Sequence, residues 1–93
     1  MSNIIRGDVN EKWAHSGYVV AGDFVYLNYC VGNVGKSVKE QIEGALDNME
    51  ERLRMVNLSL ENIVKVDVLF RDVWNLPIME EVFKKRFNGK YPA

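Results

Sequence analysis

Apolar residues fall into two rhythms along the chain. Up to Cys30 they come in β-forming runs. Tyr18-Val19-Val20 and Phe24-Val25-Tyr26-Leu27-Asn28-Tyr29-Cys30 flank Gly22-Asp23, and two such runs around a two-residue turn predict a hairpin. Ile4-Ile5 predicts a short first strand and Asp8 to Lys12 a polar loop. After Gly32-Asn33-Val34-Gly35 the rhythm changes. Val38, Ile42, Ala45, Leu46, Met49, Leu53 and Val56 recur at steps of three and four, which places one apolar stripe on a helix. Ser37 and Glu40 stand at the spacing of a capping box, with the Ser37 hydroxyl accepting from an amide and Glu40 reaching back to the Ser37 amide. Asn57 closes this helix, because asparagine tolerates the left-handed conformation of a helix end.

Ile63 to Phe70 alternates and predicts a strand, with Val64, Val66, Val68 and Phe70 on one face. Pro77 suits a first helical turn. Leu76, Met79, Val82, Phe83 and Phe87 then form a second stripe, and Asn88-Gly89 stops it. The expected order is βββαβα in a single domain, 1–93. A right-handed crossover would put the hairpin and the Ile63 strand in one mixed sheet, with both helices packed on one face. Lys65, Asp67 and Leu69 face the other way, a mixed surface that reads as a subunit interface or the wall of a site.

Composition narrows the classes. The chain has 93 residues, 47% of them hydrophobic and 27% charged, which suits a folded domain rather than a disordered one. A net charge of −1 gives no general attraction to nucleic acid or to anionic membranes, so neither is expected as a partner. No apolar run reaches membrane-spanning length. The lone Cys30 cannot form an internal disulfide, and the first ten residues lack the apolar core of a secretion signal. The expected location is therefore cytoplasmic.

Candidate chemistry is sparse. Gly32-Asn33-Val34-Gly35-Lys36-Ser37 ends like a phosphate-binding loop, but only two residues separate its glycines where four are needed. It reads as a loop and a helix cap. His15 is the only histidine, and no second ligand type stands at a metal-binding spacing. Cys30 reads as a small buried side chain before a nucleophile. Asp67 and Asp72 are too isolated for a carboxylate pair. Lys84, Lys85, Arg86 and Lys90 with Phe87 and Tyr91 form a basic, aromatic cluster of the kind that can hold single-stranded RNA. A helix C-terminus also attracts cations for its own reasons.

Four segments, in order, resemble the Rid (YjgF-type) family. They are Ala21-Gly22-Asp23-Phe24-Val25-Tyr26, Gln41 to Asn48 followed by Leu53, Leu60 to Asp72, and Met79-Glu80-Glu81-Val82-Phe83 followed by Phe87 and Tyr91-Pro92-Ala93. The resemblance implies an α+β, chorismate-mutase-like fold, a homotrimer, and a ligand cleft between neighbouring subunits. It implies hydrolysis of reactive imines and enamines such as 2-aminoacrylate to 2-keto acids and ammonia, without metal or cofactor. Some members have been described as translation inhibitors or endoribonucleases. By resemblance, His15 stands at the family's site tyrosine and Asn28-Tyr29 at its Ser-Gly pair, so these three are expected to line the cleft, with a bulky ring at the glycine position. No catalytic residue is assigned. The family's arginine follows the Pro-Ala pair, and its last two strands lie beyond it. The 93 residues are therefore expected to lack both, and to be inactive as they stand.

Overall fold

A computed structural model of the chain describes residues 3–93. Two units, residues 1–30 and 31–93, are each built on their own contacts.

The first unit is an antiparallel sheet in the order β1-β2-β3: β1 is Ile4–Asn10, β2 His15–Ala21 and β3 Phe24–Leu27. The hairpin forms as expected, with Ala21 opposite Phe24 and Gly22 at φ 61 in the turn. β1 is longer than its two isoleucines suggest. Arg6, Gly7, Val9 and Asn10 also pair, with Val19, Tyr18, Ser16 and His15 respectively, so the expected loop at Asp8–Lys12 shrinks to a turn after Asn10. A polar residue joins a strand when its backbone finds a partner, and a hydrophobic pattern does not report that. Within this pairing the Tyr18 ring lies across Gly7, filling the space a side chain would need. An aromatic ring covering a cross-strand glycine shields an otherwise bare stretch of backbone.

The second unit holds the two helices, α1 (Val38–Arg54) and α2 (Leu76–Phe87). Glu40 N donates to Ser37 Oγ at 3.2 Å, and the Ser37 hydroxyl donates to Glu40 Oε1 at 2.9 Å. The second link thus runs through the hydroxyl instead of the Ser37 amide. At the far end Asn57 takes φ 59 and Leu58 N donates back to Leu53 O at 2.9 Å, closing the helix in a left-handed cap. Asn88 ends α2 in the same conformation, at φ 47. Leu46, Leu53, Leu60, Val82 and Phe87 are buried, and the rings of Phe83 and Phe87 pack 5.0 Å apart.

One expectation fails in detail. Residues 63–70 form no strand, and every strand pair in the described sheet is antiparallel, not mixed. Beyond the Ile63 N bond to Leu60 O at its start, the segment's backbone pairs with Ala93: Ala93 N donates to Val64 O and Val66 N to Ala93 O, both at 2.9 Å. The two bonds to Ala93 have the sense of a parallel pair. Alternation identifies an extended, half-buried backbone but leaves its neighbours unstated. Leu69, assigned to a mixed face, is 98% exposed, and Lys65 and Asp67 pair with each other at 3.7 Å.

Candidate ligand site

The three residues expected to line a cleft converge within the first unit. His15 opens β2, and Asn28 and Tyr29 follow β3 directly. Asn28 N donates to Gly17 O at 3.0 Å, carrying the β2–β3 pairing one step past the strand end. Asn28 Oδ1 then accepts from Tyr29 N at 2.8 Å. This local turn aims the Tyr29 ring at His15, with centroids 6.2 Å apart and planes at 72°, an edge-to-face contact. Cys30 stays beside them, its thiol donating to Asn28 O at 3.4 Å. Sequence reasoning set Cys30 aside as a buried residue; it is half-buried and bonded to the site's backbone.

His15 is half-buried and its Nδ1 has no hydrogen-bond partner. Buried polar atoms are nearly always paired, so an orphaned one in a cluster of polar side chains asks for a role. Together the three residues offer a hydrogen-bonding imidazole, a carboxamide and an aromatic edge. Such a group can orient a small planar ligand or a water.

The other sequence candidates resolve differently. Gly32 lies against Gly44 of α1, where a Cβ on Gly32 would stand 2.5 Å from the Gly44 carbonyl carbon. Asn33 Nδ2 donates to Glu40 O at 2.8 Å. The loop that ends like a phosphate-binding motif is therefore fastened to the helix behind it. In the basic cluster Arg86 is already engaged. Its Nη2 reaches Asp47 and Glu50, each at 2.8 Å, and Nη1 donates to Glu43 O at 3.4 Å. Burial alone would lower the Arg86 pKa, but the hydrogen bonds and charges of Glu50 and Asp47 raise it above the ordinary arginine value. Lys90 pairs with Glu61 at 3.1 Å. Two of the four cations are thus held within the unit, which weakens the RNA reading. The clamp between Arg86 and α1 was not foreseen; the acidic face of α1 at Asp47 and Glu50 was its only signal.

A depression of about 380 Å³ lies near Glu50, Arg54, Ser59, Glu61, Arg86 and Phe87. Its charges are mostly paired with one another, and it contains none of His15, Asn28 and Tyr29. Among the described residues no group of three or more His, Cys, Asp or Glu could hold a metal ion, and no helix is long and apolar enough to cross a membrane.

A sequence model of the family described as Endoribonuclease L-PSP matches residues 9–93. The chain belongs to this family, the YjgF/Rid family. A solved structure from Streptococcus pyogenes M1 GAS, described as a hypothetical protein of the highly conserved yjgF family, is 60% identical with a TM-score of 0.96. The match covers 100% of this chain and 76% of that one. The 2-iminobutanoate/2-iminopropanoate deaminase of Homo sapiens is 33% identical, over all of this chain and 77% of that protein. The RutC family protein UK114 of Drosophila melanogaster is 30% identical over the same shares. The likeness extends along the whole chain, so the YjgF/Rid fold is an α+β fold here as there.

Proposed function

We propose that this YjgF/Rid member binds small 2-imino and 2-oxo acids at His15, Asn28 and Tyr29, and that its reaction is imine hydrolysis. The observation that carries the reading is the 33% identity, along the full chain, to a relative named as a 2-iminobutanoate/2-iminopropanoate deaminase. In that reaction water adds to the imine carbon, the carbon–nitrogen bond breaks, and ammonia leaves a 2-oxo acid. The work asked of the protein is to hold substrate and water in register. The convergence of His15, Asn28 and Tyr29 supports a site able to do so. The 93 residues act in this reading as one Rid-like domain in a homotrimer, with clefts between neighbouring subunits. The lone cysteine supports a cytosolic location.

A second reading is a binder without turnover. Tyr29 favours it, because its ring stands against His15 where the family resemblance has glycine. One experiment separates the two. Aminoacrylate is generated in the assay and ammonia release is followed, while 2-oxobutanoate is titrated in a thermal-shift assay. The deaminase reading expects release well above spontaneous hydrolysis, lost in His15→Ala. The binder reading expects a saturable shift with no release. Neither release nor shift sinks both. Sedimentation at micromolar concentration checks the trimer, and a monomer there overturns the assembly.

A further inference from the structure

We infer that Tyr29 is a positioning residue, locking the His15 imidazole with Nδ1 buried and Nε2 presented as the hydrogen-bond donor to a ligand, an inference that rests on the site proposed above. His15 Nδ1 is buried with no partner. A proton there would be a stranded donor, and buried N–H groups without acceptors are rarer than bare acceptors. In the neutral ring the proton therefore sits on Nε2.

This orientation needs a cause. A half turn of the ring would place a carbon in the buried position and free the nitrogen, which solvation alone favours. The edge-to-face contact with Tyr29, at 6.2 Å and 72°, opposes the turn. Tyr29 is itself held, since its amide donates to Asn28 Oδ1 and the Asn28 amide donates to Gly17 O, two residues along β2 from His15. Tyr29 is also 69% exposed, so its ring serves no core.

The chain has a single histidine, so its imidazole signals identify themselves. Long-range proton–nitrogen correlation spectra in alkaline buffer, without ligand, report the tautomer directly. The Nε2–H form is expected in the unmodified protein and in Tyr29→Phe, which keeps the ring. Tyr29→Ala is expected to show a mixture of forms and to weaken 2-oxobutanoate binding roughly threefold to tenfold, the range of one aromatic contact. An Nδ1–H tautomer in the unmodified protein overturns the inference. So does a Tyr29→Ala variant with unchanged spectrum and unchanged affinity. If 2-oxobutanoate leaves the His15 signals of the unmodified protein unmoved, the site reading and the ligand half of the inference fall. The ligand-free tautomers still decide whether Tyr29 orients the ring.

Discussion

The two units of this chain are stabilised by different means. Every buried large apolar side chain among the described residues (Leu46, Leu53, Leu60, Val82 and Phe87) belongs to residues 31–93. The unit that holds β1, β2 and β3 buries only Gly17 to that degree and leaves Ile4, Ile5, Phe24 and Tyr26 more than half exposed. It relies on strand pairing and on the fit between Gly7 and Tyr18. The candidate ligand residues all lie in this thinner unit. Side chains meant to meet a ligand are drawn from regions with few buried contacts, because a filled core leaves no room for one. The helical unit, in turn, spends its charged residues on itself, through Arg86 and Lys90.

Substitutions can break this contrast in order of force. Leu46→Ala empties the centre of the helical core and is expected to cost ~2–5 kcal/mol, read as a lower denaturant midpoint. A loss under ~1 kcal/mol would mean that Leu46 is not central. Gly7→Ala puts a methyl where the Tyr18 ring lies and is expected to cost ~1–3 kcal/mol. Hydrogen exchange should show the loss first in β1 and β2. Arg86→Met removes the shared partner of Asp47 and Glu50. Arg86 is 23% exposed but Asp47 is 69% exposed, so the loss is reduced by solvent to about 1–2 kcal/mol. The raised arginine pKa means that this contribution is present below the ordinary arginine value and is lost only as pH rises through the still higher folded value. The stability difference between Arg86→Met and the unmodified protein should therefore persist unchanged through neutral and moderately alkaline pH. Ser37→Ala removes a cap and is expected to cost about 1 kcal/mol, with exchange faster in the first turn of α1 only.

Much of this was legible in advance, for identifiable reasons. Helix α1 carries its stripe, its cap at Ser37 and its stop at Asn57 within one stretch of chain, so local pattern sufficed. The Gly22-Asp23 hairpin did too. Residues 63–70 show where pattern fails. Their alternation describes an extended backbone, but a strand exists through its neighbour, and the neighbour found is Ala93. β1 outgrew its two isoleucines for the converse reason: Val9 and Asn10 had partners in Ser16 and His15. At the candidate site, the resemblance named His15, Asn28 and Tyr29, but their convergence depends on the Asn28–Gly17 bond across the hairpin. The sequence placed Arg86 only in a basic cluster, since nothing within α2 reveals the carboxylates of α1 that hold it.

The contact between Gly32 and Gly44 has a consequence for anyone who would rebuild this protein. With the loop backbone resting on the helix and Asn33 tied to Glu40, residues 32 and 33 behave as a rivet, and extra residues inserted there would lift the strand–helix connection off its seat. Two positions further on, a Cβ on Gly35 would meet nothing within 4 Å. The tip at Val34-Gly35 is therefore the place in this connection to splice a tag, a probe or a longer loop.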